Sequence, residues 1–245
     1  MHHFFVNPSQ IGENCISIIG DDVNHIRNVL RMKNGEKLLI SDGEGREYTC
    51  SIDKISDMEV IATIEDYQVE GRELAADIYL FQGLPKSDKM ELIIQKAVEL
   101  GVKAVVPVDT ARSIVKLDKK KEDAKIKRWQ AISESAAKQS KRGVIPTIHN
   151  VMSFKEAIAY VKDFDIKLIP YENCTDMSGT KDIISKIQKG MKVAIYIGPE
   201  GGFGDEEINH AMSLDVMPIS LGKRILRTET AGLAILSVIM FNIEE

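Results

Sequence analysis

The chain has 245 residues, of which 44% are hydrophobic and 28% are charged, and its formal net charge is −5. These values are ordinary for a soluble globular protein, and the length suits one large domain or two small ones. The longest mainly apolar run, residues 231–241, is too short to span a bilayer. The N-terminus has neither a basic region nor a long apolar stretch, so we expect no signal peptide and a cytoplasmic protein.

The cysteines and histidines do not indicate a metal site. Cys15, Cys50 and Cys174 lie far apart and form no Cys-x-x-Cys pair, and the five histidines show no metal-ligand spacing. Such a pattern predicts neither a zinc site nor a disulfide framework. We therefore expect no metal and three idle or buried thiols.

The distribution of charge is uneven along the chain. Residues 112–142 contain 11 Lys and Arg against 4 Asp and Glu, a local balance of +7, and the rest of the chain has 21 against 33, or −12. A basic segment on an acidic protein indicates a directed contact with a polyanion. A solvated helix face explains the same charges equally well, and the charge alone leaves both interpretations open.

Residues 1–70 predict a small β domain. Short strands separated by turn residues are typical of a small barrel or sandwich. The expected strands are residues 15–19, 37–41, 47–52 and 59–64.

One short helix interrupts these strands. Asp22 can cap it, and one face carries the apolar residues Val23, Ile26, Val29 and Leu30. The opposite, exposed face would carry three side chains that can be cationic, His25, Arg27 and Arg31.

The polar stretch 68–73 marks a domain boundary, so we expect one domain at residues 1–70 and a second at 74–245. After the boundary, strands alternate with helices, which is typical of an α/β domain with a parallel sheet. The expected strands are residues 77–81, 102–108, 166–170, 193–197 and 217–221. Helical spacing indicates helices carrying two apolar stripes: Met90, Ile93, Ile94 and Ala97, and then Ile126, Trp129, Ile132 and Ala136.

Two glycine-containing loops follow the last two expected strands. They are the turn 198–202 and the segment 221–231, which leads into a final apolar helix. In an open α/β sheet, ligands bind beyond the carboxyl ends of the strands, and glycines let the backbone approach a ligand. The turn matches neither the dinucleotide fingerprint nor a P-loop. We therefore expect a backbone-lined ligand site there, although a glycine turn is often just a turn.

Cationic side chains precede the final helix. Arg224 and Arg227 flank two apolar residues, and Thr228 is a plausible N-cap for the helix. Arginine can hold a phosphate or a carboxylate in a fork. The simpler interpretation, helix capping together with surface charge, explains Thr228 but not the two arginines. The sequence contains no Ser-His-Asp or Cys-His arrangement that would indicate a hydrolase.

The two glycine loops resemble those of the SPOUT methyltransferases. The whole chain is similar, nearly end to end, to one family among them, the bacterial 16S ribosomal RNA uridine-N3 methyltransferases. The matching segments are His25–Arg31, Lys89–Glu91, Gln95–Gly101, Arg112–Ser113, Trp129, Gln139–Arg142, Gly198–Gly202 and Leu226–Ala231. Each segment is modest alone, and their order and spacing carry the resemblance.

The resemblance implies a fold and a reaction. The fold would be a small N-terminal PUA-like RNA-binding β-barrel with a C-terminal parallel α/β sheet containing a trefoil knot. The cofactor would be S-adenosyl-L-methionine, the partner 16S rRNA of the small ribosomal subunit, and the protein a homodimer through its C-terminal domains. The final apolar helix fits such an interface and fits burial in its own core equally well.

The resemblance also implies three groups of site residues. Catalysis is expected from Arg227 and Arg142, which would hold the uridine anion or a phosphate. Glu229 and Glu200 are the candidate bases, although helix capping or loop bracing explains each carboxylate better. Cofactor contacts are expected from Leu168, Tyr171, Gly198, Pro199, Glu200, Gly201, Gly202, Leu221, Gly222, Ile225, Leu226 and Thr230. RNA contacts are expected from His3, His25, Arg27, Arg31, Arg112, Lys116, Gln139, Lys141 and Arg142.

Two positions depart from the family pattern. His3 replaces the arginine usual near the N-terminus, which puts an RNA contact in doubt, and Lys138 replaces a glutamate, which adds charge to the basic segment. Two other functions stay open. One is a SPOUT methyltransferase acting on another RNA, such as a tRNA ribose 2′-oxygen, and the other is a non-catalytic RNA-binding protein of ribosome assembly.

Overall fold

The structure, a computed structural model, describes residues 1–68 and 72–244. The central part of the expected boundary stretch, residues 69–71, lies outside the described residues. The chain divides into two compact units. The first comprises residues 1–73 and 137–145, and the second comprises 74–136 and 146–245. The sequence predicts a second domain that contains all of residues 74–245, whereas segment 137–145 belongs to the first unit.

The first unit is built on a five-stranded sheet. Its strands are β1 (His2–Phe5), β2 (Cys15–Ile19), β3 (Lys37–Ser41), β4 (Glu47–Ile55) and β5 (Glu59–Gln68). The order is β1-β3-β4-β5-β2, with β1 parallel to β3 and the other pairs antiparallel. Alternate residues such as Ile16 and Ile18, or Leu38 and Ile40, are buried in one core, because successive strand residues face opposite sides of a sheet. The four expected strands are confirmed, and β1 was missed.

The short helix of this unit differs from the prediction. Helix α1 (Asp21–Asn24) runs into a π-helical turn, His25–Val29, and Gly20 occupies the cap position without any side-chain cap. Val23 and Ile26 are buried as expected, but Val29 is 62% exposed. The wider π turn shifts later residues off the α-helical spacing, so the prediction for Val29 was wrong.

The second unit contains seven parallel strands and six helices among the described residues. The strands are β6 (Asp77–Gly83), β7 (Ala104–Asp109), β8 (Thr147–Ile148), β9 (Met152–Ser153), β10 (Ile166–Pro170), β11 (Lys192–Ile197) and β12 (Met217–Ile219). The helices are α2 (Lys89–Glu99), α3 (Lys119–Ser140, whose last turn belongs to the first unit), α4 (Phe154–Tyr160), α5 (Met177–Ile184), α6 (Asp205–Met212) and α7 (Thr228–Ile243).

The strand order is β12-β10-β11-β6-β7-β8, with β9 beside β7, and every pair is parallel. The expected α/β parallel sheet is confirmed. Residues 193–197 of β11 are all buried, as befits a central strand covered on both faces. The strand order alone does not establish a trefoil knot, which stays a prediction.

The helices follow their apolar spacing. Met90, Ile93, Ile94 and Ala97 of α2 are all buried, as the i, i+3, i+4, i+7 pattern predicts. Across the described residues, no helix combines the length and apolar character needed to cross a membrane.

His3 on β1 lies in the first unit and differs from its predicted role. Its side chain is only 9% exposed, and its Nε2 lies 2.7 Å from the Oγ of Ser41. Burial lowers the pKa of His3 from 6.5 to about 4, because desolvation disfavours the charged imidazolium. A buried imidazole that is neutral at pH 7 brings no positive charge to a phosphate, so the burial of His3 does not support the predicted RNA contact.

We expect His3 to make the stability of the protein depend on pH. The unfolded chain takes up a proton below pH 6.5, whereas the folded protein does so only near pH 4. The stability contributed by neutral His3 is therefore complete above pH 6.5 and is lost as the pH falls towards 4. In the variant His3→Gln, the loss of unfolding free energy between pH 7.5 and pH 4.5 should be smaller than in the wild type by about 2 kcal/mol.

Denaturant unfolding followed by circular dichroism at the two pH values measures this difference. His2→Gln is the matched control, because His2 is the exposed neighbour on the same strand. Identical pH dependence in the wild type and His3→Gln would contradict the assignment.

Candidate active site

A cleft of about 600 Å³ opens beyond the carboxyl ends of β10, β11 and β12 in the second unit. Its walls come from three loops: residues 170–174 after β10, 197–203 after β11 and 220–228 after β12. Lys89, Arg112 and Ala231 complete the lining. The two glycine loops therefore meet at one edge of the sheet, as the sequence predicts, and the loop after β10 joins them.

The backbone of the cleft is packed too closely for side chains at two glycines. A Cβ on Gly198 would lie 2.9 Å from the carbonyl carbon of Gly202, and one on Gly83 would lie 2.6 Å from the Cδ of Pro199. Gly202 and Gly222 adopt positive φ angles of 67° and 102°, a region that glycine occupies without strain. At these glycines the loops present backbone to the cleft.

Thr228 links three elements beneath the cleft. Its hydroxyl donates to the carbonyl oxygen of Gly198 at 2.6 Å and accepts from the Nε2 of Gln82 at 2.8 Å. The predicted N-cap role of Thr228 was wrong, because the cap position is Arg227 and Thr228 is the first residue of α7. The hydroxyl instead ties the start of α7 to the end of β6 and to the loop after β11.

An ion-pair cluster lies at the cleft. The Nζ of Lys89 is 3.0 Å from the Oε1 of Glu200 and 3.3 Å from the Oε2 of Glu229. The backbone N–H of Lys86 also donates to Glu200, at 3.2 Å. The hydrogen bond to Glu200 raises the pKa of Lys89.

Burial alone would raise the pKa of Glu200, but the hydrogen bonds from Lys89 and from backbone N–H groups outweigh it, so its pKa is lowered. Lys89 was missed as a site residue. The segment Lys89–Glu91 carried part of the family resemblance, and that was the available signal.

Ten of the twelve predicted cofactor residues line the cleft. They are Tyr171, Gly198, Pro199, Glu200, Gly201, Gly202, Leu221, Gly222, Ile225 and Leu226. The other two lie outside its lining. Leu168 has a fully buried side chain in β10, which cannot reach a ligand in the cleft, and Thr230 is exposed on α7.

Arg227 and Arg112 both line the cleft. The Nη1 of Arg112 donates to the carbonyl oxygen of Gly201 at 3.0 Å, so this predicted RNA contact lies against the glycine turn. Lys116 pairs with Asp109 at 2.6 Å.

The remaining predicted RNA residues belong to the first unit. His25, Arg27, Arg31, Gln139 and Lys141 are all exposed. Arg27 forms an ion pair with Asp57.

Arg142 differs from its predicted catalytic and RNA-binding roles. It is only 3% exposed, and its Nε lies 3.2 Å from each carboxylate oxygen of Glu73. A buried guanidinium engaged by a carboxylate offers no open fork to a phosphate or a base. Its position instead secures segment 137–145 within the first unit.

The basic segment is partly neutralised by neighbouring acids. Lys119 pairs with Asp123 at 3.2 Å, Lys121 with Asp118 at 3.0 Å, and Arg128 with Glu91 at 2.8 Å. These are exposed pairs of the kind that contribute little stability. For these three side chains the solvated helix face is the better interpretation.

Comparisons with known proteins define the class. A family model described as an RNA methyltransferase domain matches residues 72–240, and one described as an RNA methyltransferase PUA domain matches residues 18–65. The two matches fall largely on the second and first units, and the PUA match confirms the expected PUA-like N-terminal domain.

Full-length relatives narrow the class. The ribosomal RNA small subunit methyltransferase E of Bacillus subtilis is 40% identical, covering 100% of this chain and 98% of that protein. Its namesake from Mesomycoplasma hyopneumoniae is 34% identical over 97% of this chain and 98% of its own length. The crystal structure of the Neisseria gonorrhoeae ribosomal RNA small subunit methyltransferase E bound to S-adenosyl methionine superposes with a TM-score of 0.86 at 31% identity, covering 98% and 97% of the two chains. The chain belongs to the ribosomal RNA small subunit methyltransferase E family of RNA methyltransferases.

We expect Thr228→Val to loosen the cleft. The substitution keeps the shape of the side chain but leaves the Gly198 carbonyl and the Gln82 amide without their shared partner. An unsatisfied buried polar group costs about 1–3 kcal/mol, and the free energy of unfolding should fall by that amount. Thr230→Val is the matched control, since Thr230 is exposed on the same helix. Denaturant unfolding of both variants measures the effect, and equal stabilities would contradict the bridging role of Thr228.

Proposed function

We propose that the protein uses S-adenosyl-L-methionine to methylate N3 of a specific uridine in the 16S rRNA of the small ribosomal subunit, in the cytoplasm. The observation that carries this proposal is the backbone-lined cleft between the loops after β11 and β12. It lies in the unit matched by the RNA methyltransferase family, in a chain 31% identical to a relative bound to S-adenosyl methionine.

The residues of the cleft fit this cofactor. A volume of about 600 Å³ lies within the ordinary range for sites that hold a cofactor. The backbone of Gly198, Gly202, Leu221 and Leu226 would hold the adenine, because only main-chain groups approach so closely. Ile225, which is 89% exposed at the cleft, offers apolar surface for a ligand or a partner to cover. The cofactor supplies an electrophilic methyl group attached to a positively charged sulfur.

Uridine N3 places two demands on the protein. It is a weakly acidic imide nitrogen that carries a proton at neutral pH, so it becomes a good nucleophile only after losing that proton. The site must hold the base in line with the methyl group and must favour the anion, by a base or by cationic donors. Arg227, which lines the cleft, would hold the uracil oxygens or the adjacent phosphate, and Glu229 is the candidate base.

The RNA would have to reach the cleft as a splayed nucleotide, because a stacked base does not expose N3. We assign further RNA contacts to the exposed side chains His25, Arg27, Arg31, Gln139 and Lys141 of the first unit. Arg112 and Lys116 would add contacts in the second unit. Positive charge of this kind binds the phosphate backbone with little sequence preference, so the cleft would select the base.

A homodimer through the second unit is part of the proposal. Val238 and Phe241 on α7 are 52% and 85% exposed, although Ile235, Leu236 and Ile239 of the same helix are buried. A helix with apolar residues on its outer face suits burial against a second copy.

The deciding experiment combines labelled S-adenosylmethionine, the purified protein and small ribosomal subunits lacking the modification, followed by nucleoside mass spectrometry. We expect 3-methyluridine as the labelled product. A 2′-O-methylated nucleoside would show that the RNA target is different. Absence of transfer together with absence of cofactor binding would favour a non-catalytic protein of ribosome assembly.

We expect Arg227→Ala to separate catalysis from cofactor binding. Loss of the guanidinium should lower the methylation rate by about 100-fold, the order of magnitude of one lost transition-state donor, while cofactor affinity changes by less than about threefold. Isothermal titration gives the affinity and single-turnover labelling gives the rate. Arg227→Lys keeps the charge without the fork and should be intermediate. Equal losses of rate and affinity in Arg227→Ala would show that Arg227 acts on the cofactor.

A further inference from the structure

Lys89 occupies a position that helix stability does not explain. It is the first residue of α2, and the N-terminus of a helix carries a partial positive charge that disfavours an ammonium group. Two carboxylates from other elements compensate for that placement, one from the loop after β11 and one from the start of α7. The ammonium therefore joins three elements that meet at the cleft.

The two carboxylates are engaged to different extents. Glu200 accepts from Lys89 at 3.0 Å and from the backbone N–H of Lys86. The Oε2 of Glu229 is buried and, within residues 1–68 and 72–244, its contact is the 3.3 Å ion pair with Lys89, with no hydrogen bond. Glu200 therefore contacts two neighbouring residues, whereas the buried Oε2 of Glu229 has Lys89 as its ion-pair partner.

The cluster carries excess negative charge. Two carboxylates share one ammonium, which leaves a net charge of −1. Lys89 and Glu200 line the cleft, whereas Glu229 lies outside its lining and meets it through the ion pair with Lys89. The other charged side chains of the lining are Arg112, Glu172, Lys223, Arg224 and Arg227, and Lys86 and Asp88 flank the start of α2. Carboxylates brought this close without a cation tend to share a proton, because like charges disfavour double ionisation.

We propose that Lys89 is a positioning residue for methyl transfer: its ammonium contacts both Glu200 and Glu229 and orients Glu229 to take the proton from uridine N3. This inference rests on the proposed function and deepens it by assigning the base. Glu229 is the catalytic residue, Lys89 acts through it, and Glu200 anchors Lys89.

The N3 proton moves to a carboxylate oxygen of Glu229, and the electron pair of the N–H bond stays on N3. That pair forms the new bond to the methyl carbon, while the bond between the methyl carbon and sulfur breaks with its pair remaining on sulfur. The products are 3-methyluridine, the neutral thioether and a protonated Glu229, which releases its proton to solvent.

The test is the pH dependence of single-turnover methylation with the full-length protein and unmodified small subunits. In Lys89→Met the two carboxylates lose their shared cation. The acidic limb of the profile should move up by about one pH unit or more, so that the rate on that limb falls by about 10-fold or more at a given pH. The rate should therefore recover as the pH rises, which loss of a merely structural brace would not produce.

Three further variants isolate the roles. Lys89→Arg keeps the charge, so its acidic limb should stay in the wild-type position. Lys89→Met with Glu200→Gln removes the repulsion and should move the limb back towards the wild type. Glu229→Gln removes the base and should lower the rate by about 100-fold or more, with no recovery at high pH.

Lys96→Met is the matched control, because Lys96 lies on the same helix and pairs with Glu99; its profile should equal that of the wild type. Thermal unfolding and cofactor titration verify that each variant folds, and if Lys89→Met does not fold, Lys89→Gln replaces it, because it also removes the charge but keeps a polar side chain. A uniform loss of rate with an unmoved limb in Lys89→Met would overturn the role of Lys89. A near-wild-type rate in Glu229→Gln would overturn the assignment of the base.

Failure of this inference and failure of the proposed function give different results. If the wild type yields no 3-methyluridine, the proposed function is wrong. If the wild type yields 3-methyluridine and only the variants behave otherwise than expected, the reaction stands and the assignment of Lys89 and Glu229 falls.

Discussion

The cleft depends on one hydroxyl group. Thr228 donates to the Gly198 carbonyl and accepts from the Gln82 amide, and thereby joins three segments that are far apart along the chain. Both Thr228 and Gln82 are buried, where a hydrogen bond is strong and an unpaired polar group is costly. These hydrogen bonds therefore hold together the glycine turn, Gln82 near the end of β6 and the first turn of α7. The cleft lies beside these three segments.

Close backbone packing then determines which chemistry each part of the cleft can supply. Gly83 lies against Pro199, and Gly198 lies against Gly202, with no room for a Cβ. The glycine turn can therefore offer mainly main-chain groups, which suit the binding of one fixed ligand. Charged side chains of the lining include Lys89, Glu200 and the arginines beside the loops, and Lys89 also pairs with Glu229. In the proposed function, main-chain groups would hold the cofactor and charged side chains would act on the RNA base.

The net charge of −5 does not show how the charged side chains are paired within the fold. Several lysines of the basic segment pair with acids on neighbouring turns, and Arg142 is buried against Glu73. His3 is neutral because it is buried beside Ser41. The side chains that remain exposed in the first unit, including Arg31 and Lys141, are therefore better candidates for RNA contacts than a count of basic residues would indicate.

The sequence by itself determined the two-domain organisation in outline, most of the strands and the place of the cleft. Apolar alternation identifies β2 to β5, and apolar runs identify β6, β10 and β11, because burial on one or both faces of a sheet leaves that signature. The loops at 198–202 and 221–226 were identifiable because glycines follow strands of a predicted parallel sheet. Strand β1 and the short β8 and β9 were missed, because two to four residues carry too little periodicity.

Only the tertiary structure decided which charged and polar side chains do what. Lys89, Glu200 and Glu229 are separated by more than a hundred residues at their extremes, and no spacing rule brings their atoms together. His3 and Arg142 look like surface cations in the sequence, whereas long-range packing buries them against Ser41 and Glu73. Thr228 looks like a helix cap because local patterns carry no information about a partner 30 residues away, and its hydroxyl instead bonds Gly198. Periodicity reports burial, but the partners of polar groups are set by contacts that only the folded chain makes.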